Sequence, residues 1–163
     1  MLNLSAFYLI FRSFMKIAIG CDHGGIHLKA ALLNYLDEHG YEYKDFGTYT
    51  EESCDYTDYA LKVAEAVASG EFDRGILVCG TGIGMSIAAN KVKGIRCAHV
   101  HDSFSARATR EHNDANILAF GERVIGVGVM TDIVEAFLTT DFQGGRHARR
   151  VAKITEIENK YFK

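Results

Sequence analysis

From Met15 onward, short apolar runs alternate with longer stretches whose apolar residues recur every three to four positions. Lys16–Gly20, Gly75–Cys79, Ile95–Val100 and Asn116–Phe120 are of the first kind, and Tyr41–Phe46 is a more mixed example. Continuous apolar runs of this length suit strands covered on both faces of a parallel sheet. Gly25–Glu38 carries Ile26, Leu28, Leu32, Leu33 and Leu36 near helical spacing, and Gly40 fits the position just past its end. Tyr56–Ser69 (closed by Gly70), Ile83–Lys91, Gly128–Leu138 and Arg146–Asn159 are also helical in pattern. So is a segment capped by Asp102 or Ser103 and running to about His112. Strand and helix alternate five times, which predicts an α/β fold. It is a doubly wound, five-stranded parallel sheet with helices on both faces, a Rossmann-like sandwich.

No repeat, linker or low-complexity stretch divides residues 15–163, which are expected to form a single domain. Met1–Phe14 stands apart. It is apolar, with no basic region before it and no small-residue cleavage site after it, and it is too short to span a bilayer. Met15-Lys16 looks like a natural start, so residues 1–14 are expected to be an extension outside the fold; a helical arm on a partner subunit is the alternative. The 163 residues are 48% hydrophobic and 24% charged, ordinary for a soluble domain, and the formal charge of -3 gives no general reason to expect nucleic acid or an anionic membrane. The four cysteines show neither C-x-x-C spacing nor a disulfide framework, which points to free thiols in the cytoplasm.

Open parallel sheets bind ligands beyond the carboxyl ends of their strands. Cys21-Asp22-His23, Asp55-Tyr56, Cys79–Gly84 and His101-Asp102 fall there. In Cys79-Gly80-Thr81-Gly82-Ile83-Gly84, three glycines in five positions let the backbone bend sharply and approach a ligand closely. A tight turn with no ligand needs fewer glycines. The string is not a P-loop, and a dinucleotide fingerprint beginning at Gly80 fails at Met85 and follows the third strand instead of the first. An anion hole beside a reactive cysteine is the remaining functional reading. A thiol at a strand end facing a helix N-terminus is favoured as thiolate, which is a nucleophile, a metal ligand or a base. An inert buried cysteine is the bland alternative, and it is the one adopted for Cys21, Cys54 and Cys97.

Of seven histidines, His23 follows Asp22 at the tip of the first strand, and His112 sits in Glu-His-Asn-Asp at a helix end. Each gains weight only if such residues gather on one side of the sheet. His99 and His101 alternate along a strand edge, and a metal pair is the minor reading of them. Arg146 and Arg150 are four apart near a helix start and share a face that suits a phosphate; a solvated basic face is the alternative.

Gly-Cys-Asp-His-Gly-Gly at 20–25, Cys-Gly-Thr-Gly-Ile-Gly at 79–84, Ala-Ala-Asn-Lys at 88–91, Glu-His-Asn-Asp at 111–114 and Gly-Gly-Arg-His at 144–147 occur in this order. Together they resemble the ribose-5-phosphate isomerase B family, within the group that includes galactose-6-phosphate isomerase subunits. The resemblance covers nearly the whole chain after Met15. It implies an aldose–ketose isomerase of the pentose phosphate pathway, interconverting ribose 5-phosphate and ribulose 5-phosphate through a cis-enediolate without metal or organic cofactor. By the same resemblance Cys79 is the base, and His112 is the acid that opens the ring. Gly80, Thr81, Gly82, Ile83 and Gly84 hold the enediolate oxygens. Asp22, His23, Asn113 and Arg123 line the site, and Arg146 and Arg150 grip the phosphate. Some family members carry a glutamate base after the glycine loop; Met85 stands there in this chain. The family's site is shared across a homodimer, with a tetramer as a further assembly. A related six-carbon sugar phosphate, such as allose 6-phosphate or galactose 6-phosphate, is the alternative substrate. A non-enzymatic phosphate- or nucleotide-binding module is the alternative from another class. The family's usual Asp-Tyr-Pro is Asp55-Tyr56-Thr57 here.

Overall fold

A computed structural model describes residues 15–162; the expectations for residues 1–14 lie outside the described residues. The order of elements is β1 (Lys16–Cys21), a 3-10 turn (His23–Gly25), α1 (Ile26–Glu38), β2 (Glu42–Asp45), α2 (Tyr56–Ala68), β3 (Arg74–Cys79), α3 (Ile83–Ala89), β4 (Cys97–His99), α4 (Ser103–Asn113), β5 (Ile117–Gly121), α5 (Val127–Thr139) and α6 (Arg146–Tyr161). All pairings are parallel and the spatial order is β2-β1-β3-β5-β4. The expected five-stranded parallel sheet is present, with β5 returning to lie between β3 and β4.

Strand alternation divides the core. Ile17, Ile19, Ile76, Val78, Leu118 and Phe120 face one side and meet Leu32 and Leu36 of α1, Ala106 of α4 and Ile133 and Phe137 of α5. Ala18, Leu77, Cys79, Ile117 and Ala119 face the other and meet Val63 of α2 with Met85 and Ala89 of α3. Each fully buried aliphatic or aromatic side chain of this kind contributes about 1.5–3 kcal/mol. The edge strand β4 is shorter than Ile95–Val100. Ile95 N–H closes a turn onto Val92 O at 3.1 Å, and Arg96 N–H donates to the Asn116 side chain at 2.8 Å. The ladder therefore begins at Cys97.

Local chemistry fixes the approach to the site. Gly25 sits so close to β3 that a Cβ there would lie 2.7 Å from the Val78 carbonyl. The buried Lys29 ammonium bonds Asp45 Oδ2 at 2.7 Å and the Thr48 carbonyl at 2.6 Å, tying α1 to the end of β2. Asp102 caps α4 by accepting the Ser105 N–H at 2.7 Å; that bond holds its carboxyl below the usual range. α6 packs against α4 and leaves Ile154 and Ile157 exposed. Among the described residues no helix is long and apolar enough to cross a membrane.

Candidate active site

β3 delivers Cys79 to the carboxyl edge of the sheet, in register with Gly121 of β5. The side chain is 5% exposed, and its Sγ accepts the Gly82 N–H at 3.0 Å. Gly82 takes φ +82°, and a Cβ on it would lie 2.8 Å from the Phe120 backbone, so only glycine fits. The amides of Gly82, Ile83, Gly84 and Met85 precede the first full turn of α3 and have no carbonyl partner within the helix. The Gly82 amide is aimed at sulfur and the Ile83 amide reaches the Thr81 hydroxyl at 3.4 Å, so the turn gathers donors suited to an oxyanion. Met85 itself is fully buried in the core.

The segment after β5 closes over this loop. Glu122 N–H donates to Cys79 O at 2.9 Å and Arg123 N–H to Gly80 O at 3.0 Å. The Arg123 side chain lies along Gly80, where a Cβ would be 3.4 Å from the guanidinium carbon. Glu122 Oε2 accepts the Leu28 N–H at 2.9 Å, capping α1 from 94 residues away. Asp22 is 8% exposed, and its Oδ1 accepts the Gly24 N–H at 2.8 Å. His23 Nδ1 accepts the Cys54 N–H at 3.2 Å, which leaves the ring proton on Nε2. Asp22, His23, Cys79, Gly80–Gly84 and Arg123 thus form one cluster.

His112, Asn113, Arg146 and Arg150 are not in it. Helices in this fold run antiparallel to the strands, so α4 starts at the carboxyl edge and ends at the amino edge. Asn113 O there accepts Arg96 Nε at 3.1 Å, and Asn116 O accepts Gly75 N–H at 2.9 Å. His112 stacks on His147, with ring centres 4.3 Å apart and planes at 11°. Gln143 N–H donates to Glu111 O at 3.1 Å, which brings the start of α6 alongside. Arg146 Nε donates to His147 Nε2 at 3.3 Å. Burial, then the neighbouring His112, Arg146 and Arg150, push the His147 imidazole below its ordinary value. The candidate residues therefore do not all gather on one side of the sheet of a single chain. They form two clusters at opposite edges, because a residue at a helix end inherits the edge from which the next strand departs.

Four residues in these clusters have no site role assigned from the sequence, although Asp55-Tyr56 falls at the ligand edge and His99 has a minor metal reading. His147 supports His112, Glu122 braces α1, and His99 reaches the Thr81 carbonyl at 2.7 Å. Tyr56 lies over Gly84, where a Cβ would meet its ring at 2.8 Å. Each makes its contact with an element distant in sequence. Burial pushes the Cys21 thiol up to about 11 and the Cys97 thiol higher still, in keeping with inert roles. Among the described residues no group of three or more His, Cys, Asp or Glu side chains could hold a metal ion.

The model of the family described as "Ribose/Galactose Isomerase" matches residues 17–154. The chain belongs to this family. It is similar to the structure of Clostridium thermocellum ribose-5-phosphate isomerase B, with 62% identity and a TM-score of 0.89 over 90% of this chain and 99% of that one. It is 52% identical to ribose-5-phosphate isomerase B of Escherichia coli (strain K12), over 89% of this chain and 97% of that protein. A structure of the Mycoplasma genitalium ribose-5-phosphate isomerase B with bound ribulose-5-phosphate has a TM-score of 0.86 at 38% identity, over 90% of this chain and 98% of that one. Both edge clusters fall inside the segment that matches the ribose/galactose isomerase family. The doubly wound fold expected from the sequence is the fold of these isomerases.

Proposed function

We propose that the protein interconverts ribose 5-phosphate and ribulose 5-phosphate, with Cys79 as the base and with each site completed by a second copy of the chain. One observation carries this: a buried sulfur at a strand end accepts the Gly82 N–H at 3.0 Å beside the amides that open a helix. A proton next to a carbonyl is weakly acidic, so its removal requires stabilisation of the enediolate as it forms. The sulfur takes the proton from C2 and returns it to C1 on the same face, while amides of the Gly80–Gly84 segment hold the oxygens. The Thr81 hydroxyl passes a proton between them. Asp22, His23 and Arg123 line the sugar.

Ring opening needs an acid, and phosphate needs a cationic cradle. His112, Asn113, Arg146 and Arg150 supply both, from the amino edge of the partner subunit. The separation of the two clusters supports this, because proton transfer requires hydrogen-bond reach. So do the exposed apolar side chains Ile83 and Ile87 on α3 and Ile154 and Ile157 on α6, which suit contact between copies. The proposed site draws nothing from residues 1–14, and the fold is assigned to residues 15–163. A pairing of dimers into a tetramer and a cytoplasmic location belong to the same proposal.

The test is an isomerase assay with ribose 5-phosphate on wild type, Cys79→Ala and Arg146→Ala. Cys79→Ala is expected to lose at least about a thousandfold in kcat while still binding substrate. Arg146→Ala is expected to raise KM chiefly. Wild-type turnover in Cys79→Ala would defeat the mechanism. The family description couples ribose with galactose, so a six-carbon sugar phosphate is the second reading. Galactose 6-phosphate and allose 6-phosphate in the same assay decide it.

A further inference from the structure

His99 ends β4, and its ring packs directly on the glycine loop: a Cβ on Gly82 would lie 2.8 Å from its Cδ2. Its Nε2 is 2.7 Å from the Thr81 carbonyl oxygen. A carbonyl only accepts, so Nε2 carries the ring proton and donates it. His101 Nε2 lies 3.0 Å from the same nitrogen and therefore turns its lone pair toward that N–H.

The Thr81 C=O and the Gly82 N–H are the two ends of one planar peptide unit. Its N–H end donates to Cys79 Sγ at 3.0 Å; its C=O end is held by His99. Glycine is the residue least able to hold a peptide plane by itself, and Gly82 sits at φ +82°. We propose that His99 is a positioning residue for Cys79, holding the Thr81–Gly82 peptide so that its N–H stays aimed at the sulfur. Donation to the carbonyl also polarises the peptide and strengthens its N–H as a donor. The brace reaches the sulfur through the backbone and needs no contact between His99 and the sugar. Its catalytic consequence rests on Cys79 being the base.

The test compares His99→Leu, which fills similar space without a donor, with His99→Gln, whose amide restores one. Two readouts are taken. One is kcat and KM on ribose 5-phosphate. The other is the rate at which iodoacetamide alkylates Cys79 at pH 7, followed by mass on the tryptic peptide Gly75–Lys91, which contains no other cysteine. One lost hydrogen bond of ordinary strength corresponds to about a tenfold effect. His99→Leu is expected to lower both kcat and the alkylation rate about tenfold, with KM within about twofold. His99→Gln is expected to recover most of each. Wild-type alkylation and kcat in His99→Leu would overturn the proposal. Equal losses in the two variants would overturn it too, by showing that the ring acts through packing. If wild type fails to turn over ribose 5-phosphate, the substrate assignment falls, while the alkylation rates still decide the brace.

Discussion

Two inactive variants are expected to restore each other. Cys79 pairs in register with Gly121, and Gly75 pairs with Ile117, so β5 separates the two edge clusters by four residue steps. At about 3.3 Å per step that is roughly 13 Å along the strand, and His112 lies beyond the far end. General acid–base chemistry requires contacts of about 3 Å, so the roles proposed for Cys79 and His112 call for two chains at one sugar. Cys79→Ala and His112→Ala subunits are each expected to form dead homodimers. A mixed dimer holds one site with neither substitution and one site with both. Random pairing at equal amounts makes half the dimers mixed, each with one working site of two, so the mixture should show about one quarter of wild-type activity. Co-expression with two different affinity tags isolates the mixed dimer, which should show about one half. Its KM should equal that of wild type, because the surviving site is unaltered. A mixed dimer as inactive as its parents would refute the shared site. Substantial activity in either parent alone would refute the assigned roles.

The buried Lys29 and the edge histidine His147 give two further expectations. Lys29→Met removes a buried ammonium and strands Asp45 and the Thr48 carbonyl; a loss of about 3 kcal/mol, or roughly 10 °C in Tm, is expected by thermal denaturation, and a change below about 1 kcal/mol would refute it. Its surroundings push the His147 imidazole below its ordinary value in the folded chain, so its contribution to stability is full above about pH 6.5 and is lost as pH falls through the lower folded value. The Tm of His147→Gln should therefore fall less than that of wild type between pH 7.5 and 5.5, and parallel curves would refute the assignment.

Most of the fold was legible because each element carries its own periodicity. Five apolar runs and six helical patterns anticipated the sheet, and Asp102 announced the start of α4. The position of β4 was less legible. Its first residues are diverted to Val92 and to the Asn116 side chain, partners that no local pattern displays. The exchange of β4 and β5 in the spatial order is likewise a tertiary fact. Within the site, Cys79 and its glycines were legible because a nest is local. The separation of His112 from Cys79 was not, since it follows from which edge each helix ends on. His99 went unassigned because its importance lies in the backbone atom it touches, not in any motif.

The placement of β5 makes completion of the glycine loop depend on the last strand of the chain. A nascent chain that has emerged only to Asn116 already contains Cys79 and all three glycines, yet lacks every contact made from Gly121, Glu122 and Arg123. The strand synthesised last must enter the interior of the sheet to supply them. A truncated or mis-registered molecule therefore lacks the outer contacts of the loop, and recovery of turnover during refolding is expected to require both closure of the sheet and pairing of the subunits.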